Sequence, residues 1–346
     1  MNPHNKRGTQ LALQGHLPEA AACFQEAIAA APKFAQAHNN LGVVLKELGR
    51  LEESVYSYRQ AIAQKTDFYE AHYNLALVLL KQGELAQGWR EYEWRWRTPE
   101  LKKDLRDFGG QRWDGVVGAK KTLLIHSEQG FGDTLQFCRY AALAAAQGIR
   151  VILEAPQPLV RLLRSLPGVE VVARGDTLPP FDVFCPLMSL PLVFGTTLAT
   201  IPATPQYLQA EKVQALAWRA RLAASPARGL KIGVAWAGNP APQADQRRAL
   251  DPALLNAIDM PGCRFFSLQK NGQSMPGITD LMGEVTDFAD TAALVANLDL
   301  VISVDTAVAH LAAALGKPVW LLAQFDPCWR WLTGRRDSPW YPRLRI

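Results

Sequence analysis

Apolar and small residues fall at a fixed spacing over the first hundred positions. Gly8, Leu11, Gly15, Leu17, Ala20, Phe24, Ala27 and Pro32 recur 34 positions later as Gly42, Leu45, Gly49, Leu51, Ser54, Tyr58, Ala61 and Thr66. A third copy reads Ala76, Leu79, Gly83, Leu85, Gly88, Tyr92 and Arg95. A fixed period of this length marks stacked copies of one supersecondary unit. The glycine at the fifteenth place stops the first helix of each copy. Small residues at the eighth and twentieth places let two helices approach beside an aromatic at the twenty-fourth. The spacing predicts three helix pairs over about residues 1–97.

From about residue 119 the pattern changes. Short apolar runs at 122–126, 151–154, 169–173 and 181–185 alternate with helix-like stretches, the first at 134–147. After a Pro-, Ala- and Gln-rich passage at about 202–229 the pattern restarts. Strands are expected at 232–236, 264–268, 300–304 and 319–322, with a helix at 306–315 that Gly316 stops. Strands alternating with helices imply parallel sheets. The expected fold is α + α/β: a helical solenoid at 1–100, a linker at 101–118, a Rossmann-like lobe at 119–212, an interlobe linker at 213–229 and a second Rossmann-like lobe at 230–346. Such sheets bind ligands at the carboxyl ends of their strands, here in a cleft between the lobes.

Composition narrows the chemistry. With 37 basic and 32 acidic residues the chain is mildly basic, which suits a phosphate-bearing ligand and falls short of a nucleic-acid binder's dense patches. No apolar run is long enough for a membrane span, and no signal segment opens the chain. Cys23, Cys138, Cys185, Cys263 and Cys328 are scattered without a Cys-x-x-Cys pair, which fits a reducing cytoplasm and neither a disulfide framework nor a zinc site. Gly130-Phe131-Gly132 lacks the third glycine of a dinucleotide fingerprint, because Leu135 stands there. There is no P-loop, no His-Glu-x-x-His and no Asp-x-Asp, so neither a cofactor nor a metal is expected.

The 34-residue pattern matches the tetratricopeptide repeat. Its sixth places are Lys6, Asn40 and Asn74 on the groove-lining helices. In tetratricopeptide glycosyltransferases a ladder of such asparagines holds an extended peptide, since an amide both donates and accepts. The resemblance makes Asn40 and Asn74 candidates for a protein acceptor; the alternative is a tolerated polar face. Trp89, Trp94 and Trp96 exceed the needs of one helix and are expected to pack the array against the next domain, with a sugar- or peptide-binding platform as the alternative.

The run from Ser303 to Pro318 resembles the nucleotide-sugar signature of the heptosyltransferase-like glycosyltransferases (family nine). Gly130-Phe131-Gly132-Asp133 resembles that family's amino-terminal loop, in which an aspartate is the general base. Combined with tetratricopeptides, the chain looks like a bacterial group that also carries Val234–Pro240, Ser267–Lys270 and Asp337–Tyr341. The resemblance implies a two-lobed GT-B fold and a metal-independent, inverting transfer from a nucleotide sugar to a protein acceptor. It assigns the base to Asp133, with Glu128 in reserve, and donor contacts to Asp305, Thr306, Ala307, His310, Gln269, Lys270 and Arg248. Arg247 reads as solvated charge. Two departures stand out: Ala307 replaces a usual glycine, and no closing helix crosses back to the first lobe. Structural alternatives are helix capping for Asp133 and Asp305 and a satisfied core imidazole for His310. The rival functions are a non-catalytic interaction scaffold and a lipopolysaccharide heptosyltransferase.

Overall fold

A computed structural model describes residues 2–116, 121–223, 229–238, 248–257, 260–270, 272 and 275–346. The chain divides into two units, and each is built from more than one stretch of sequence. The first comprises Met1–Arg106, Gly195–Thr200 and Asp326–Gly334; the second holds the remainder.

In the first unit six helices form three antiparallel pairs, α1 (Pro3–Leu13) with α2 (Leu17–Ala30), α3 (Ala35–Glu47) with α4 (Leu51–Gln64), and α5 (Tyr69–Gln82) with α6 (Leu85–Tyr92), and the short α7 (Pro99–Lys102) follows them. Gly15, Gly49 and Gly83 all adopt positive φ (82°, 76° and 86°) at the turns, the left-handed conformation that lets the chain reverse without a Cβ penalty. A Cβ at Gly42 would lie 2.6 Å from the Tyr58 ring, and one at Gly8 would lie 2.7 Å from Phe24. The small residue at the eighth place is therefore the seat of the aromatic at the twenty-fourth. Ser54 adds a hydrogen bond, its hydroxyl donating to the Gly42 carbonyl at 2.7 Å. Phe24 packs with Leu41, Val44 and Leu45, and Tyr58 with Leu75, Val78 and Leu79, so each aromatic joins its own pair to the next.

The tryptophans divide their work within this unit. Trp89 meets the edge of Trp329 at 5.4 Å, and Tyr92 meets the same ring at 6.0 Å. Lys81, buried, pairs with Asp326. Trp94 stacks flat on His72 at 3.9 Å, while Trp96 lies under the buried Arg95 guanidinium at 4.3 Å.

The second unit contains two all-parallel sheets. In the first, β1 (Gln111–Arg112), β2 (Thr122–His126), β3 (Arg150–Ala155), β4 (Val169–Ala173) and β5 (Val183–Pro186) lie in the order β1-β5-β2-β3-β4. In the second, β6 (Leu230–Ala235), β7 (Cys263–Ser267), β8 (Ile278–Asp280), β9 (Leu300–Val304), β10 (Val319–Leu322) and β11 (Leu344–Arg345) lie in the order β11-β10-β9-β6-β7-β8. In each the chain winds one way from a central strand and returns to that strand's other side. This makes switch points at β2/β5 and at β6/β9, where loops diverge and leave a crevice.

Several expectations are corrected. The helix expected at 134–147 starts earlier and breaks at Cys138 into α8 (Phe131–Phe137) and α9 (Arg139–Ala146). The stretch assigned to an interlobe linker contains a helix (Lys212–Ala223), whose Trp218 and Leu222, four residues apart, are buried. Residues 337–341 return to the first sheet's helices: Trp340 packs on Phe137 at 5.5 Å, and Arg139 donates to its carbonyl at 2.8 Å. Among the described residues no helix is long and apolar enough to cross a membrane.

Candidate functional site

Both switch points deliver the sequence-derived candidates. β2 runs into Ser127–Gln129 and then the turn at Gly130, from which α8 starts. β9 ends at Val304, followed by Asp305 and the helix Ala307–Ala314, whose N-cap is Thr306. These two helices pack against each other. The contact is close: a Cβ at Gly132 would lie 2.9 Å from His310 Cδ2 and 3.7 Å from Ala307 Cα. Gly132 is therefore glycine because the partner helix occupies the space, and Asp133 follows directly after that contact.

Asp133 is the third residue of α8 and not its N-cap. Its Oδ2 accepts the Gly130 N–H at 2.9 Å, bracing the turn from inside the first helical turn. Glu128, the reserve candidate, is buried, and its Oε1 accepts the Met188 N–H at 3.0 Å, tying the end of β2 to the residues after β5.

Asp305 is buried without being a cap. Its Oδ1 lies 3.8 Å from His310 Nε2 and its Oδ2 lies 3.6 Å from Arg248 Nη1, while Arg248 also donates to the Asp305 carbonyl at 3.3 Å. His310 is buried, and its Nδ1 lies 2.8 Å from the Tyr341 hydroxyl. The Thr306 hydroxyl is 3.0 Å from Ser303 Oγ, so this part of the residue is held by its own loop. Gln269 Oε1 accepts N–H groups from Ala237 at 2.9 Å and Trp236 at 3.3 Å, which fixes the loop leaving β6. Lys270, beside it, is exposed. Arg247 lies outside the described residues, as do Asn239 and Pro240 of the Val234–Pro240 segment.

The structure thus brings Asp305, Thr306, His310 and Arg248 together and sets the Gly130–Asp133 turn against them. Asn40 and Asn74 stand on α3 and α5 of the repeat unit. Their amides donate to the asparagine at the fifth place of the preceding repeat, Asn40 Nδ2 to Asn5 Oδ1 at 3.1 Å and Asn74 Nδ2 to Asn39 Oδ1 at 3.2 Å. The rungs are linked across repeats before any ligand is considered.

Sequence reasoning missed a clasp between the two sheets' helices. Arg161, on the helix Gln157–Leu163 after β3, pairs with Asp287 at 2.8 Å and with Asp290 at the start of the helix Phe288–Val295. Phe131 meets Phe288 edge-on beside it, at 5.3 Å. It also missed Arg139 and Tyr207, which lie beneath His310. A single arginine inside the otherwise apolar run Phe137–Ala146 was the available signal.

Two parts of the chain match known families. The tetratricopeptide-repeat family matches residues 8–49 and 44–83, and glycosyltransferase family 9 (heptosyltransferase) matches residues 267–323. The latter span runs from the end of β7 through Asp305, Thr306 and His310 to β10. The chain therefore joins a repeat region similar to tetratricopeptides to a segment similar to part of the family 9 glycosyltransferases. The protein FlbA of Caulobacter vibrioides is 27% identical over 301 residues, covering 75% of this chain and 48% of that protein. The chain spans about half the length of this curated relative. Among solved structures, the TPR2B domain of yeast Sti1 in its pHsp70 complex is 21% identical, covering 29% of this chain and 81% of that one, with a TM-score of 0.27. The TPR domain of P58(IPK) is 23% identical, covering 42% and 36%, with a TM-score of 0.29.

Proposed function

We propose that the protein is a metal-independent, inverting glycosyltransferase that takes a nucleotide-sugar donor and glycosylates a protein captured by the repeat unit. The observation that carries this reading is the pairing of the Gly130–Asp133 turn with the Asp305–His310 segment, the latter lying inside the family 9 match. The acceptor hydroxyl attacks the anomeric carbon while the bond to the diphosphate oxygen breaks. Asp133 takes the hydroxyl proton, and the leaving diphosphate carries away the electron pair. Thr306 and Ala307, with their N–H groups at the start of a helix, together with Arg248 and Lys270, meet the diphosphate's charge. Asn40 and Asn74 bind the acceptor backbone with the amide capacity left after their bonds to Asn5 and Asn39 and after the bond that Asn40 Oδ1 accepts from Gln36 at 3.0 Å.

The first test is nucleoside diphosphate binding by calorimetry in EDTA. The expected outcome is saturable binding that Lys270→Ala weakens; a strict requirement for Mg²⁺ or Mn²⁺ refutes the metal-independent reading. Binding without transfer to any protein would favour a scaffold. Asn40→Ala with Asn74→Ala should reduce transfer to protein and leave donor hydrolysis unchanged.

A further inference from the structure

Two residues that the proposed function places against the donor, Asp305 and His310, are 9% and 4% exposed. The cover is α8, which packs on the helix that carries His310, with a Cβ at Gly132 placed 2.9 Å from the imidazole. A glycosyl group cannot reach these side chains while the two helices stay in contact. Two sets of links between the sheets hold them there, one at each end of α8. The inner set, at the carboxyl end, is buried. Arg139 donates to the Gln136 carbonyl at 2.8 Å, to the carbonyls of Trp340 at 2.8 Å and Pro202 at 3.1 Å, and to the Tyr207 hydroxyl at 2.8 Å. Tyr207 joins the ends of both helices: its hydroxyl donates to the Leu135 carbonyl at 2.8 Å, and its N–H to the Ala314 carbonyl at 3.1 Å. Pulling this set apart would strand a buried guanidinium and its acceptors, a large cost.

The outer set, at the amino end, reaches water. Phe131, the first residue of α8, is 39% exposed and meets Phe288 edge-on at 5.3 Å. Beside it Arg161, a third exposed, pairs with Asp287 at 2.8 Å and with Asp290, and its Nε lies 3.7 Å from Glu211 Oε1. Water can replace these partners, and ion pairs of such exposure each hold weakly. The 7 residues of α8 put about 10 Å between the two sets. A rigid helix fixed firmly at one end and lightly at the other opens at the lightly held end. Gly132 and Asp133 stand at that end.

We propose that Arg161 is a latch on donor entry: while it spans Asp287 and Asp290 the crevice is shut over Asp305 and His310, and its release lets α8 swing away about the Arg139–Tyr207 set. The shut state excludes the glycosyl group, so the apparent affinity for the donor is lowered in proportion to the fraction of molecules that are open. Arg161 touches no ligand and acts through this equilibrium alone. Its loss leaves the partner helix capped, because Asp287 Oδ1 still accepts the N–H groups of Ala289 at 2.8 Å and Asp290 at 3.0 Å. The latch stands on contacts within the protein, whereas what it admits rests on the proposed function.

The test is the rate at which diethyl pyrocarbonate modifies His310 in the full chain, read by mass spectrometry without any nucleotide. Arg161→Gln should raise that rate about fivefold, the weight of one such ion pair, with the fold intact by circular dichroism. His38, also buried but in the repeat helices, should keep its wild-type rate. Arg161→Lys, with one compact cation for two carboxylates, should fall between, and it carries the comparison if Arg161→Gln does not fold. An unchanged His310 rate in the folded variant overturns the latch, and so does a rise that His38 shares. For the donor, a panel of nucleotide sugars is titrated by calorimetry. Any that binds the wild type should bind Arg161→Gln about fivefold more tightly, by the same weight. Equal or weaker binding overturns the role in donor entry. If no nucleotide sugar binds the wild type, the proposed function falls, while the His310 rate decides the latch separately.

Discussion

At the scale of a single residue, Asp133 makes a structural contact beside the general-base role proposed for it. Its Oδ2 braces the turn through the Gly130 N–H, a contact that an asparagine oxygen can also make. Asp133→Asn should therefore leave the melting temperature near that of the wild type. Loss of the proton acceptor should lower turnover about 10²–10⁴-fold, the usual contribution of a general base, as measured in a transfer assay with donor affinity checked separately. Unchanged turnover would move the base elsewhere. The residue types of the site were readable from the sequence because strand-end loops carry it. Their engagements were not: Gln269 fastens the loop after β6, Glu128 holds the Met188 amide, and Thr306 meets Ser303. A side chain's competing hydrogen bonds depend on segments distant in sequence, and no local spacing encodes them.

Among the elements, the repeat helices were the most legible, because each repeat specifies its own contacts. The glycines at the eighth place of the first two repeats meet the aromatics at the twenty-fourth, and the turn glycines at the fifteenth adopt positive φ, as their spacing requires. The longer strands were visible as apolar runs, whereas β1, β8 and β11 have two or three residues each, too few for a periodic signal. Gly42→Ala tests the repeat geometry with opposing terms. Alanine favours a helix interior by about 1 kcal/mol, but its Cβ would meet the buried Tyr58 ring at 2.6 Å. Overpacking costs about 1–3 kcal/mol and should win, giving a net loss of up to about 2 kcal/mol in denaturant unfolding. A more stable variant would mean that Tyr58 can retreat.

Across the second unit, the Arg161 clasp joins helices that belong to different sheets. Burial pushes the Asp290 carboxyl up, but hydrogen bonds from the Thr286 hydroxyl and amide, with Arg161, outweigh it and leave it below its usual value. A depressed carboxyl contributes stability above its unfolded pKa of about 4, and this contribution disappears as the pH falls through the folded value. Arg161→Gln should lower stability at pH 7 and reduce the further loss on acidification below about pH 4, the range set by the unfolded carboxylate. Parallel wild-type and variant curves through that range would show that the clasp carries no linked proton.

The first unit takes its third segment from residues 326–334, and the Lys81–Asp326 pair spans 245 positions. Synthesis runs from the amino terminus at about 5–20 residues per second, so the repeats leave the ribosome well before that segment exists. For about 12–50 s, by the same rate, Trp89 and Tyr92 lack the Trp329 ring and Lys81 lacks its counter-charge. A nascent chain arrested before residue 326 should therefore be bound by chaperones and cut readily by protease near α5 and α6. Release of the full chain should end both. The unit's architecture makes its own completion a late event in translation.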